Sequence, residues 1–101
     1  MQETQEVTAD LVSTSIDQGL DSIGETAKRV VYFRVEQDLK IRRSEIPANC
    51  KLFVEELQQI FGPGGKVLEK SILAKLGEVT GRSDLPRDFC KAVEVVSGRK
   101  G

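Results

Sequence analysis

The tetrad Gly62-Pro63-Gly64-Gly65 constrains this chain more than any other feature. Proline lacks a backbone donor and fixes φ, and glycine opens left-handed conformations that other residues resist. Neither a helix nor a strand runs easily through four such residues. Yet apolar residues recur at steps of three and four on both sides. Leu52, Phe53, Leu57, Ile60 and Phe61 precede the tetrad, and Val67, Leu68, Ile72, Leu76 and Val79 follow it. That spacing marks one face of an α-helix. The tetrad is therefore expected to be a tight turn between two helices, the first stopped by Gly62 and Pro63. Asn49 is placed to cap that first helix, and Gly81 to end the second.

The same periodicity extends in both directions. Val12, Ile16, Leu20, Ile23, Ala27, Val30/Val31, Val35 and Leu39 predict a long helix over about 12–40. Ser15 with Gln18 resembles a capping box. Glu25–Arg29 and Glu36–Lys40 are favourable i,i+4 pairs, and Gly19 and Gly24 predict a kink or a break. The run Val30–Val35 is rich in strand formers, but no partner strand is evident. After Gly81, Ser83 can cap a last helix carrying Leu85, Phe89, Val93 and Val96. The expectation is an all-α fold: a small bundle of about four helices at 12–40, 49–62, 65–80 and 84–97, with a long first helix. Residues 1–11 read as a flexible acidic N-terminal arm, and 12–101 as a single helical domain. Three short helices cannot cover all of the first one, so a homodimer is expected.

Composition excludes several chemistries. The 101 residues contain no histidine, which removes Ser-His-Asp and Cys-His nucleophilic systems and the commonest zinc ligand. The only two cysteines, Cys50 and Cys90, form no CxxC pair. They read as free thiols of a reducing cytoplasm, with a Cys50–Cys90 bridge as the alternative. Five aromatic residues, Tyr32, Phe33, Phe53, Phe61 and Phe89, are too few for an obvious base-stacking platform. No apolar run approaches the ~20 residues that cross a bilayer, and no signal peptide is evident. Net charge is −1 but uneven. Residues 1–25 hold six acidic and no basic residues, whereas 26–101 hold 15 basic and 10 acidic ones.

Gly62-Pro63-Gly64-Gly65-Lys66 departs from a phosphate loop. Ile60 stands at the first glycine position, Val67 follows the lysine, and the segment follows a helix. A weaker anion contact at Lys66 and the following amides stays open. The helix pair around the turn also admits a helix-turn-helix reading. In it, Lys40, Arg42, Arg43, Lys66, Lys70 and Lys75 would face phosphates, helped by Arg82 and Arg87. Glu55-Glu56 and Asp84…Asp88 read as solvated faces or caps, and Tyr32 as a core-edge residue.

The ordered series Ser22-Ile23-Gly24-Glu25-Thr26, Tyr32-Phe33 with Glu36, Ile46-Pro47, Phe53 with Leu57, Ile60 through Lys66, and Leu68-Glu69 carries a family resemblance. Across residues 16–76 it resembles a small archaeal, thaumarchaeal-type output domain of signal-transduction proteins. The resemblance implies a soluble cytoplasmic protein, alone or fused to sensor or receiver modules, with no established catalytic residue. The expected function is thus a non-enzymatic, self-associating protein-interaction module without cofactor, metal or membrane. Phe33, Phe53, Phe61 and Lys66 are the candidate partner-binding residues. The alternative is a nucleic-acid-binding module using the basic body of residues 40–91.

Overall fold

Gly24 adopts φ 93° and ψ 160°, a conformation closed to most other residues, and there the expected long first helix breaks in two. The structure is a computed structural model that describes the backbone over Gln2–Gly98 and side chains from Thr8 to Gly98. Its elements are α1 (Gln2–Leu20), a 3₁₀ turn (Asp21–Ile23), α2 (Glu25–Leu39), a 3₁₀ segment (Arg43–Asn49), α3 (Cys50–Phe61), α4 (Gly64–Thr80) and α5 (Phe89–Val96). The fold is all-α, with no strand among the described residues. The strand-forming run Val30–Val35 lies inside α2, where Val31 and Val35 reach the core.

Several local expectations change. Of the arm expected over 1–11, residues 2–11 belong to α1, Met1 lies outside the described residues, and Thr8 is already buried. Ser15 does not cap a helix: it is mid-helix and fully buried, and its hydroxyl donates to Leu11 O at 2.7 Å. Asn49 makes no side-chain cap either, since its amide donates back to Glu45 O. The last helix starts at Phe89 and not near 84. Its cap is Asp88, whose carboxylate accepts from Lys91 N at 3.0 Å. The hairpin around the tetrad follows the sequence closely, because Gly62 takes φ 57° and ends α3. The basic tail of residues 99–101 lies outside the described residues.

α4 is the central helix, packed against α1, α3 and α5. Its fully buried Ile72 and Leu76 meet Val12, Ile16 and Leu20 of α1, Phe53 and Leu57 of α3, and Phe89 of α5 in one core. The crossing with α1 is very close. A Cβ added to Gly19 would lie 2.6 Å from Ile72 Cγ1 and 2.7 Å from Ile72 Cα. Gly65 lets α4 start directly against α3, with an added Cβ 2.9 Å from Leu57 O.

Polar side chains fasten α2 across the break. Lys28 Nζ reaches Asp21 Oδ1 at 2.7 Å and Asp17 Oδ2 at 2.9 Å, and these two carboxylates hold its pKa above the usual lysine range. Two acids of the acidic segment thus serve a single internal lysine. Tyr32 donates to Asp17 at 3.2 Å beneath the Arg43 guanidinium, 3.6 Å from the ring centroid. Burial, with Asp17 beside it, pushes the phenol up to about 12.

Candidate docking surface between the second and third helices

Soluble domains place most large apolar side chains inside, so contiguous exposed ones are informative. Four stand out here: Phe33 at 61% exposure, Val30 at 45%, Leu52 at 43% and Val67 at 65%. Val30 and Phe33 share the outward face of α2 by their i,i+3 spacing, and Val30 lies one turn before Arg34. Arg34 and Asp38 of α2 and Leu52, Glu55, Glu56 and Gln59 of α3 line a cleft of about 240 Å³. Of the four exposed apolar residues, Leu52 lines this cleft.

The floor of that cleft is a carboxyl pair. Glu56 is buried because helical spacing sets it on the core-facing side of α3 between Phe53 and Leu57. Its Oε2 has no hydrogen-bond partner. Arg34 Nε lies 2.9 Å from Asp38 Oδ2 and 3.7 Å from Glu56 Oε2. Burial, then the neighbouring Asp38, raises the Glu56 pKa. Asp38 moves down, held as the ionised acceptor by the Glu56 carboxyl and by Arg34. The two acids act as a pair in which a shared proton favours Glu56 over Asp38.

A pH test follows from that assignment. Folding raises the Glu56 pKa, so the folded state binds more protons, and stability falls as pH rises through this window. Asp38 acts in the opposite sense, and its contribution is lost only as pH falls through its lowered value. Glu56→Gln keeps a donor toward Asp38 and removes the buried charge. The variant is expected to gain about 1 kcal/mol at pH 8 and nothing near pH 4, read by urea unfolding. An equal change at both pH values would rule out the proton as the cause.

The sequence-derived site residues separate. Phe33 is exposed, but Phe53 is fully buried in the core, which corrects its assignment as a partner anchor. Phe61 is half-buried and packs on the core at the turn. Lys66 is exposed on α4, one turn from Lys70, with Val67 beside them. Lys40 and Arg42 are exposed near the start of the 3₁₀ segment, and Arg43 is engaged with Tyr32. Lys75 pairs with Glu78 at 3.4 Å. α3 lies between the 3₁₀ segment and α4, and its twelve residues span roughly 18 Å. Among the described residues, no group of three or more acidic, cysteine or histidine side chains is arranged to hold a metal, and no helix is long and apolar enough to cross a membrane.

Sequence reasoning missed Glu56 and Asp38. The available signal was the stripe Phe53-Glu56-Leu57-Ile60, which places a carboxylate among core positions. Compared with known protein families, curated proteins and solved structures, the chain matches none.

Proposed function

We propose that this protein is a non-catalytic helical interaction module that associates with further copies of itself. The observation that carries this reading is complementarity between two of its own surfaces. The α2–α3 cleft presents Asp38, Glu55 and Glu56 against one Arg34, with the exposed Leu52 in its wall. The start of α4 presents Lys66 and Lys70 around Val67. A lysine from a second copy meets the exposed Asp38 and Glu55 carboxylates at the mouth of the cleft, and Val67 supplies apolar surface for Leu52. The self-association expected through one long first helix moves accordingly. The α1 half is covered by α4, and the uncovered half is the outward face of α2. The resemblance across residues 16–76 supports a place at the output end of a signalling protein in an archaeal cytoplasm.

Such a contact joins unlike surfaces, so it builds rings or open chains and not a closed two-fold dimer. The test uses two variants measured by light scattering after size exclusion. Lys66→Glu with Lys70→Glu removes the knob and keeps the cleft. Glu55→Lys with Phe33→Ala damages the cleft and the outward face of α2 and keeps the knob. Each is expected to be monomeric alone, and an equimolar mixture is expected to stop at a one-to-one pair. A wild-type chain that stays monomeric at millimolar concentration overturns the proposal, as does a mixture that fails to pair.

A further inference from the structure

A second cleft lies on another side of the molecule, formed by α1, the second 3₁₀ segment, α3 and α5. It measures about 460 Å³, and both cysteines of the chain line it, with Val12, Lys51, Val93 and Glu94. Cys50 is the first residue of α3, and Cys90 is the second residue of α5. Two helix N-termini therefore deliver two thiols to one place, and each terminus carries partial positive charge that favours a thiolate. Cys50 is buried, Cys90 is half-buried, and both thiols belong to the wall of the same cleft.

From this geometry we propose that Cys50 and Cys90 form a thiol-exchange site that takes small organic disulfides and closes to an intrachain bridge between α3 and α5. This inference rests on a different cleft from the self-association above and stands or falls independently of it.

The division of labour follows from the surroundings. Cys90 is half-buried and reachable from the cleft, whereas Cys50 is buried behind it. The neighbouring Cys50 thiol also lowers the Cys90 pKa, against burial and the Asp88, Glu69 and Glu94 carboxylates. Cys90 is therefore the attacking thiol, acting as its thiolate, and Cys50 the resolving thiol. Cys90 Sγ attacks one sulfur of the disulfide, forming a mixed disulfide and expelling a thiolate. That thiolate takes the Cys50 proton. Cys50 Sγ then attacks Cys90 Sγ and expels the second thiolate, which is protonated by water. The two cysteine thiols lose two hydrogens, and one disulfide becomes two thiols.

The test is exchange with cystamine, followed by intact mass and thiol titration in denaturant. The wild-type chain is expected to lose two hydrogens in mass and both titratable thiols, and to remain monomeric when non-reducing electrophoresis is run in denaturant. Cys50→Ser is expected to stop at one stable cysteamine adduct on Cys90. Cys90→Ser is expected to react roughly tenfold or more slowly, because its remaining thiol is buried and no longer has its partner. Equal rates for the two variants, stable double adducts on the wild type, or bridges between chains overturn the proposal. Both substitutions are near-isosteric. Far-ultraviolet circular dichroism of each variant separates a folding defect from a change in reactivity.

Discussion

Replacing Gly19 with valine is expected to be among the most damaging single changes in this protein. Its Cβ would arrive 2.6 Å from Ile72 Cγ1 and 2.7 Å from Ile72 Cα. The second contact is with backbone, so no rotamer change relieves it. α1 must lift from α4, which loosens the core around Val12, Ile16 and Leu20. Overpacking of this kind costs about 1–3 kcal/mol and occasionally more. The better helix propensity of valine returns only a few tenths of that. A loss of about 3 kcal/mol corresponds to a Tm lower by roughly 10–20 °C in a domain of this size. Adding Ile72→Ala removes the Cγ1 clash and leaves the Cα clash. The double variant is therefore expected to show only partial relief of the valine penalty in a double-mutant cycle. Full relief would mean that the helices can separate freely at this point.

The second large effect is a contrast between two phenylalanines. Phe53 is fully buried and Phe33 is mostly exposed. Phe53→Ala empties a site among core side chains from several helices and is expected to cost about 3–5 kcal/mol in chemical denaturation. Phe33→Ala removes little buried area and is expected to change stability by less than about 0.5 kcal/mol. Its effect is expected in association instead, where loss of an exposed aromatic side chain of α2 weakens assembly by about tenfold or more. If Phe33→Ala unfolds the monomer, the side chain serves the core and the surface assignment fails. If it leaves both stability and association unchanged, α2 is not the docking face.

These two residues show how far the sequence carries. Periodicity assigns both to helices, and that is what the structure contains. Phe53 sits on the apolar stripe of its helix and Phe33 falls off the stripe of Val31, Val35 and Leu39, so the spacing already separates the two, and naming both as partner anchors goes against it. The hairpin from α3 to α4 is legible because Pro63 lacks the amide that a continuing helix would use and Gly62 before it readily takes a positive φ. The break between α1 and α2 is harder to place. A glycine can sit inside a helix, as Gly19 does, or leave it with positive φ, as Gly24 does, and spacing cannot tell these apart. The start of α5 is ambiguous because Ser83 and Asp88 are both competent caps, and the structure uses Asp88. Glu56 is the most instructive omission. Adjacent acids usually mark a wet surface, yet helical geometry turns Glu55 outward and Glu56 inward. The approach of Cys50 and Cys90, forty positions apart, is a tertiary fact beyond the reach of spacing.

The fit of Gly19 against Ile72 has a temporal consequence. These residues are about fifty positions apart in the chain. At synthesis rates of about 5–20 residues per second, the first helix waits roughly 3–10 seconds for its partner to be made. Throughout that delay the strip from Val12 to Leu20 is an uncovered apolar surface on a nascent chain. Completion of the core is thus postponed until α4 has been made, and α1 waits longer for its main partner than α3 does.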